Sequence, residues 1–377
     1  MSLPRLLPVL LAGALPLLLA VARPAPRTYR AYVGNYTHKT ESKGIYSFRF
    51  DSDTGKMSAL ELAGESSDPS WVVVDPSGRH LYAANESGKA SSVSAYSIDA
   101  ASGRLTLLNR QPAAGEDPCH LSFDAQARFL LSANYSTGNV VVYPLLADGR
   151  LGEPVASARD EGPAGPDRKR QDGPHAHWVA VAEGNRSLLV ADLGLDRVLV
   201  YRFDPAKGTL AKAEPAVAKA GSGPRHAAFS ADGRFLYLAG ELDSTVTVFS
   251  AEGGGFRAVQ TTSMLPPGFT GRNDAAEIEL HPGGKFLYAS NRGRDSIAVF
   301  AVDGKLGTLT AVAETPTGGQ EPRHFAVDPS GKFLLAENQN SNTIVEFRID
   351  PATGKLSPTG ETLRVPSPIC IAFVPLE

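Results

Sequence analysis

A motif of about 50 residues recurs along most of the 377-residue chain and constrains its fold more than any other feature. Each copy opens with a proline-led apolar strand, passes a Gly-Arg or Gly-Lys turn into a strand of the type Phe-Leu-Tyr-x-Ala, and continues into an alternating third strand. The copies share this order and begin at Pro69, Pro118, Pro174, Pro224, Ala275, Pro322 and, in shortened form, Pro368. Repeats of this length, each with four short strands, are typical of a β-propeller.

The shortened copy is completed at the other end of the chain. It holds only a first strand, Pro368 to Val374, whereas the stretch from Ala31 to Leu62 offers a second, third and fourth strand without a first. Pairing the C-terminal strand with these N-terminal strands closes the ring and removes two exposed sheet edges. The sequence therefore predicts an all-β protein with a single seven-bladed β-propeller domain over residues 23–377.

The first 22 residues have the pattern of a targeting signal. Arg5 precedes an apolar run from Leu6 to Leu19, and Ala20-Val21-Ala22 supplies the small-x-small pattern of a cleavage site. Pro8 and Pro16 make the run a poor membrane span. We expect residues 1–22 to be a signal peptide and the mature protein, without a membrane span, to be periplasmic or secreted.

Charge and missing motifs exclude several classes of function. The 37 Lys and Arg residues against 40 Asp and Glu give a net charge of −3, whereas nucleic-acid binders normally carry a basic excess. The sequence has no GxxxxGK[ST] phosphate loop, no paired CxxC motif and no Gly-x-Ser-x-Gly. We therefore expect no nucleic-acid partner, no cofactor and no metal, and we take Cys119 and Cys370 as thiols.

Polar residues recur where the first strand of each copy begins. In a propeller these strands surround a central channel, so their equivalent positions converge. Aligned by the Gly-Arg/Lys turns, these positions are Trp71, His120, Trp178, His226, Glu277 and His324, with Arg225 and Arg323 just before two of them. A histidine that recurs with the repeat also fits a packing role, hydrogen-bonded to a neighbouring blade.

The Pro-His-Ala-His segment at residues 174–177 carries two histidines two residues apart. On a strand, His175 and His177 would face the same side, either into the channel or away from it. Two imidazoles there suit a divalent metal, with Asp172 as the one nearby carboxylate. They equally suit a general base that activates water, or a structural hydrogen-bonded pair.

Several segments carry a family resemblance when taken together. They are Val33-Gly-Asn-Tyr-Thr, Pro174-His-Ala-His, Ala191-Asp-Leu-Gly-Leu-Asp-Arg and Ser290-Asn-Arg-Gly. From about Tyr29 to Pro375 the chain resembles the lactonase family of seven-bladed propellers, which contains bacterial 6-phosphogluconolactonases and fungal carboxymuconate cyclases. Any one of these segments alone would be weak support.

The resemblance implies a site at the channel mouth. Matched residue by residue, its catalytic set falls on His177, Arg225, Glu241 and Arg292, all of which are present. We add as substrate-binding candidates His175, Arg170, His226, Arg323 and His324. On this hypothesis the arginines Arg225 and Arg292 hold an anionic group or the developing oxyanion, His177 activates water, and Glu241 orients a partner. Arg170 lies in the Gly- and Pro-rich stretch 162–173, either a solvated loop or a lid.

The resemblance implies a lactone hydrolase that opens a sugar lactone or another acidic lactone. We also expect the protein to be a monomer. Phosphogluconolactonases act in the cytoplasm, so the export signal favours an unphosphorylated substrate. Two alternatives remain open: an exported propeller that binds a small ligand or a protein without catalysis, and a lactonising cyclase of the muconate type.

Export is testable at the N-terminus of the mature protein. We expect it to begin near Arg23, because the charge, apolar run and Ala-Val-Ala order of a signal peptide end there. N-terminal sequencing of the exported product measures this directly. An intact Met1 on a cytoplasmic product would contradict the prediction.

Overall fold

Seven antiparallel sheets form the blades of a ring in the computed structural model, which describes residues 27–182, 184–251 and 255–376. The chain is therefore a seven-bladed β-propeller, as the repeat predicts. The signal-peptide prediction for residues 1–22 falls outside the described residues.

The strands are short and numbered along the chain. Those of the N-terminal half are β1 Thr28–Asn35, β2 Gly44–Asp51, β3 Glu61–Glu65, β4 Pro69–Val74, β5 His80–Asn85, β6 Ser92–Ile98, β7 Leu105–Pro112, β8 Pro118–Phe123, β9 Phe129–Asn134, β10 Asn139–Pro144, β11 Ala156–Arg159, β12 Ala176–Ala182 and β13 Ser187–Asp192. Those that follow are β14 Arg197–Asp204, β15 Thr209–Lys212, β16 Ala216–Val217, β17 Pro224–Phe229, β18 Phe235–Gly240, β19 Thr245–Ser250, β20 Arg257–Ser263, β21 Asp274–Leu280, β22 Phe286–Arg292, β23 Ser296–Val302, β24 Leu309–Pro316, β25 Pro322–Val327, β26 Phe333–Asn338, β27 Thr343–Ile349, β28 Leu356–Arg364 and β29 Pro368–Leu376.

Each blade runs outward from the channel in chain order. Blades 1 and 2 are β4–β7 and β8–β11, blade 3 is β12–β15 with β16 beside β14, and blades 4 to 6 are β17–β20, β21–β24 and β25–β28. Blade 7 has the order β29-β1-β2-β3, with β29 pairing antiparallel to β1 from Thr28 opposite Leu376 to Asn35 opposite Pro368. The predicted closure of the ring by the C-terminal strand is confirmed.

Apolar packing between neighbouring blades forms the core. Neighbouring blades cover both faces of the second strands, so β9 and β13, for example, are buried along their whole length. Seven hydrophobic clusters lie at the seven blade-to-blade contacts. Tyrosine hydroxyls on second strands also reach the next blade, as when Tyr82 donates to the carbonyl of Gly149 at 2.9 Å. Packing between blades therefore holds the ring together.

The Gly-Arg/Lys turn of the repeat joins the first and second strands of each blade. It lies on the lower face of the ring, which is opposite the end where the innermost strands begin. In blade 6, Oδ1 of Asp328 accepts hydrogen bonds from the backbone N–H groups of Lys332 at 2.8 Å and Phe333 at 2.7 Å. Gly331 adopts a φ of +72°, which glycine reaches at little cost. This chemistry explains why an aspartate and a glycine recur in the motif.

A β-bulge near the start of every innermost strand shapes the channel. In blade 1 the register skips Ser70 between Pro69 and Trp71, and the other six blades show a shift at the equivalent place. Consecutive residues of a regular strand point to opposite faces, but a bulge re-aims the extra one. Ser70 and Trp71 consequently both line a cavity in the channel.

Helices contribute little to this fold. In the described ranges they are two short 3-10 turns, Gly88–Ala90 and Gln339–Ser341. No helix within the described part of the chain has the length and apolar character needed to cross a bilayer.

Ring closure makes the C-terminal strand essential for stability. We expect a chain ending at Arg364 to be insoluble or to melt at least about 10 °C lower, because it loses the buried side chains of Ile369, Cys370, Ile371 and Val374, each contributing up to about 1.5–3 kcal/mol. Solubility and thermal unfolding measure this. A chain lacking only residues 1–22 serves as the control and is expected to be stable. Unchanged melting of the 1–364 chain would contradict the closure argument.

Candidate active site

Three equivalent positions of the repeat supply the side chains at the upper end of the channel, where the innermost strands begin. The bulged residues, here called the upper ring, are Ser70, Cys119, His177, Arg225, Ala276, Arg323 and Ile369. The residues that follow them, the middle ring, are Trp71, His120, Trp178, His226, Glu277, His324 and Cys370. Residues at the upper ends of the second strands, the rim, include Tyr36, Glu86, Tyr135, Glu241 and Arg292. Each blade therefore contributes one residue to the upper ring and one to the middle ring.

A small cavity lies at the centre of the upper ring. It encloses about 10 Å³, which is room for one water molecule. Its lining combines polar and apolar groups: Ser70, Trp71, Glu86, Cys119, His177, Arg225, His226, Arg323 and Ile369. We call this space the upper cavity. Two guanidinium groups and two imidazoles therefore converge on a site the size of a water molecule.

Glu241 joins three arginines beside the upper cavity. Its Oε2 lies 2.9 Å from Nε of Arg225 and 2.9 Å from Nη2 of Arg292, and its Oε1 contacts Nη2 of Arg170. Burial alone would raise the pKa of Glu241, but the arginines lower it to about 2. Arg170 also reaches Oδ1 of Asp274 at 3.6 Å. The loop that carries Arg170 is thus tied across the channel mouth, which favours the lid interpretation over a solvated loop.

Arg323 has a different environment. Unlike Arg225 and Arg292, it makes no ion pair with a carboxylate among the described residues. Its guanidinium lies over the ring of Tyr36, 5.6 Å from the centroid. Burial alone would lower the pKa of Arg323, but the nearby Tyr36 and Glu86 raise it, so the group stays charged. Glu86 in turn accepts a hydrogen bond from the Tyr36 hydroxyl at 2.8 Å.

The two imidazoles at the upper cavity are both neutral at pH 7. Burial lowers the pKa of His226 to about 4, and burial with the nearby Arg225 holds the pKa of His177 well below its usual value. The rings meet edge to face, with centroids 5.1 Å apart. A neutral imidazole can accept a proton from water, so each has the protonation state that a general base needs.

The middle ring separates the upper cavity from a larger one below. Trp71 packs against His120, His226 and His324, with ring centroids 4.5, 5.2 and 5.3 Å away. Beneath it lies a cavity of about 660 Å³ with mainly apolar walls, lined by His120 and His324 but not by His226. A layer of aromatic and imidazole rings therefore divides the channel.

Buried acids hold the histidines of the middle ring. Nδ1 of His226 lies 2.8 Å from Oε2 of Glu277, and the same oxygen lies 3.5 Å from Nε2 of His324. Nδ1 of His324 lies 2.9 Å from Glu337. Burial alone would lower the pKa of His324, but Glu337 and Glu277 raise it to about 9, so this imidazole is charged at pH 7.

The two histidines of the Pro-His-Ala-His segment occupy different places. Strand alternation had predicted that both side chains face the same side of the strand. His177 is the bulged residue and lines the upper cavity. His175 precedes β12, stacks on Tyr135 at 4.6 Å and places Nε2 2.9 Å from Asp172. The bulge and the tyrosine between the rings cause the separation, since Tyr135 contacts His177 edge to face at 5.5 Å.

The structure brings most of the predicted site residues together. His177, Arg225, His226 and Arg323 line the upper cavity, while Glu241, Arg292 and Arg170 form the adjoining ion network. His175 stands behind Tyr135. His324 faces the lower cavity, so the structure does not bring it to the same site.

Sequence reasoning missed several residues of this region: Tyr36, Ser70, Glu86, Cys119, Tyr135 and Ile369. The signal was present, since Tyr36 and Glu86 follow an asparagine at the end of a second strand, the position that Tyr135 and Arg292 also hold. Cys119 and Cys370 are separate buried thiols. Within the described ranges, no three His, Cys, Asp or Glu side chains are grouped to share a metal ion.

Comparison with known proteins gives consistent matches over nearly the whole chain. A family model described as Lactonase, 7-bladed beta-propeller matches residues 30–373. The 6-phosphogluconolactonase of Bacillus subtilis strain 168 is 37% identical over 348 residues, covering 92% of this chain and 98% of its own. The structure of a periplasmic gluconolactonase from Pseudomonas aeruginosa is 36% identical with a TM-score of 0.88, covering 93% of this chain and 100% of its own. The structure of a Lactobacillus plantarum protein is 32% identical with a TM-score of 0.85, covering 92% of this chain and 99% of its own.

The Glu241 network makes stability depend on pH. The folded-state pKa of about 2 lies below the ordinary 4.5, so the carboxylate stabilises the fold fully above about pH 4.5 and loses this effect as the pH falls towards 2. We expect Glu241→Gln to lower the free energy of unfolding by about 3–5 kcal/mol at pH 7, with a smaller deficit at pH 3. Chemical denaturation from pH 7 to pH 3 measures this.

The exposed Glu361→Gln is the matched control and should change little at any pH. A deficit in Glu241→Gln that stays constant down to pH 3 would contradict the assignment of the low pKa to this carboxyl.

Proposed function

This chain belongs to the family of seven-bladed β-propeller lactonases, and we propose from that premise that it opens a lactone ring with water at the upper cavity. The observation that carries the proposal is the convergence of two charged arginines and two neutral imidazoles on a water-sized space. Lactone hydrolysis needs a base for the attacking water and positive charge for the oxyanion that develops on the carbonyl oxygen. The upper cavity offers both.

Arg323 is the guanidinium best suited to hold the substrate. It lines the upper cavity, stays charged, and has no carboxylate partner in the described ranges that a substrate would need to displace. Arg225 and Arg292 share Glu241 and are fixed by it. We propose that Arg323 and Arg225 stabilise the oxyanion, while Glu241 orients the arginines without attacking, because its charge is compensated three-fold.

The size of the upper cavity supports a division of space between the two reactants. About 10 Å³ accommodates a water molecule but not a lactone ring. We propose that the cavity holds the attacking water and that the lactone docks above it at the channel mouth. Arg170 crosses this mouth and would have to release Glu241 or Asp274 to admit a ring.

The proposed substrate is an unphosphorylated sugar lactone met outside the cytoplasm. The N-terminal sequence predicts export, and one close structural neighbour is described as a periplasmic gluconolactonase. The lining of the upper cavity has two arginines against one glutamate, Glu86. This net positive charge suits the single oxyanion that develops on the lactone carbonyl.

A lactone panel tests this function. We expect the wild type to accelerate hydrolysis of gluconolactone more than that of its 6-phosphate, and Arg323→Met to lower kcat/KM about 10²-fold because one oxyanion donor is lost. Initial rates of acid release measure both. Arg257→Gln, which alters an exposed arginine on β20, is the control and should retain wild-type rates.

Three outcomes would count against the proposal. Absence of acceleration with any lactone, together with tight binding of one, would favour a non-catalytic binding propeller. Ring closure of a muconate without hydrolysis of sugar lactones would favour the cyclase. Wild-type kcat/KM in Arg323→Met would remove Arg323 from the site.

A further inference from the structure

We propose that His226, held by Glu277, is the catalytic base that takes the proton from the attacking water. The family resemblance gave this role to His177, and the inference about His226 rests on the proposed lactone hydrolysis. It follows from the contacts of the two imidazoles, which share the upper cavity but differ in their partners.

His226 is held as a general base is held in known catalytic dyads. Its Nδ1 lies 2.8 Å from Oε2 of Glu277, and the side chains are only 2% and 7% exposed. The other oxygen of Glu277 accepts a hydrogen bond from the backbone N–H of Ile278 at 3.0 Å. A buried carboxylate in this position fixes the tautomer with the proton on Nδ1 and stabilises the imidazolium that forms when Nε2 is protonated.

The atom left free on His226 is the one that a base needs. Nε2 is buried and finds no hydrogen-bond partner among the described residues. His226 lines the upper cavity, and its Nδ1 is turned to Glu277, so we infer that Nε2 is the nitrogen presented to the cavity. Edge-to-face contacts with Trp71 at 5.2 Å and His120 at 5.3 Å keep the ring from turning.

His177 lacks this support. Its Nδ1 lies 3.8 Å from Sγ of Cys119, and no carboxylate is within ion-pair distance of it among the described residues. Burial and the charges of Arg225 and Arg323 disfavour its protonated form. An imidazolium at His177 would therefore form beside two guanidinium groups without a compensating anion, whereas one at His226 would form against Glu277.

The chemical step balances with this assignment. The water oxygen bonds to the lactone carbonyl carbon, its proton passes to Nε2 of His226, and the carbonyl π electrons move to an oxyanion held by Arg323. As the oxyanion collapses, the bond between the acyl carbon and the ring oxygen breaks. The proton on Nε2 passes to that oxygen, which becomes the hydroxyl of the product acid. Nothing is oxidised or reduced, and His226 returns neutral.

Several charged groups set the proton affinity of His226. Glu277 of β21 raises its pKa, while Arg225 of its own strand and the charged His324 of β25 lower it, and burial lowers it most, to about 4. The neutral imidazoles of His120 on β8 and His177 on β12 also face the ring. The base is therefore unprotonated above about pH 4. We expect kcat/KM to keep its neutral-pH value down to pH values well below 6.5, the ordinary pKa of histidine.

The decisive experiment compares glutamine variants of three histidines. His226→Gln should lower kcat for gluconolactone by 10²- to 10⁴-fold, the usual contribution of a general base. His177→Gln should lower it less. His281→Gln is the control and should retain wild-type kcat, because the His281 imidazole lines neither cavity and its Nε2 lies 2.9 Å from the carbonyl oxygen of Gly331. Thermal unfolding of each variant separates loss of catalysis from loss of fold.

Glu277 acts through His226 and is tested as a positioning residue. Glu277→Gln removes the charge that raises the pKa of His226, so kcat should fall and the acid limb of kcat/KM should move to lower pH; Glu277→Asp should restore part of kcat. A kcat for His226→Gln as high as that for His177→Gln, or an acid limb unmoved in Glu277→Gln, would overturn the proposal.

A measurement without substrate keeps the assignment separate from the proposed function. Nitrogen-15 NMR of the histidines in the wild-type protein at pH 6 should find His226 neutral, with Nδ1 protonated and Nε2 bare. A wild type that hydrolyses no lactone refutes the function, and a protonated Nε2 refutes the base. Lactone hydrolysis that survives in folded His226→Gln refutes the base alone.

Discussion

The repeated β-bulge is the constraint on which the site depends. An innermost strand of regular alternation would offer the channel one side chain in two, and its neighbour would pack between blades. The bulge adds a residue without lengthening the paired strand, so blade 4 can place both Arg225 and His226 at the upper cavity. Because all seven blades bulge at the same step, two stacked rings of side chains form where a regular strand would supply one.

This arrangement concentrates ionisable groups in a buried place, where unpaired charge is costly. Different kinds of partner compensate these buried charges. Glu241 compensates arginines from three parts of the chain, and Glu277 lies between a neutral and a charged histidine. Arg323 rests on the face of Tyr36 instead. Among the described residues Arg323 has no carboxylate partner and Nε2 of His226 has no hydrogen-bond partner, and both residues line the upper cavity, where a reacting lactone and water would meet them.

The sequence predicts the fold nearly completely and the site in part. Blade number and ring closure follow from a motif whose spacing and turn residues are local features, confirmed by the pairing of β29 with β1. Recurrence also identifies most positions that converge on the channel. Strand alternation, however, predicted wrongly that His175 and His177 face the same side. The bulge that separates them cannot be recognised from the order of the residues. The repeat places His226 and Glu277 in the same layer of neighbouring blades, 51 positions apart, but it does not specify that Nδ1 of the histidine contacts the carboxylate.

Ring closure links stability to the geometry of the site. The C-terminal strand supplies Ile369 to the wall of the upper cavity and Cys370 to the layer beneath it. Sγ of Cys370 lies 3.5 Å from the backbone nitrogen of Val72, next to Trp71, the ring that touches His120, His226 and His324. A shift of β29 would therefore displace the backbone at Val72 and the adjoining Trp71, and Trp71 would displace the imidazoles that it contacts. The strand that closes the propeller therefore also packs against the aromatic layer that orients the proposed base, and ring closure and site geometry depend on the same contacts.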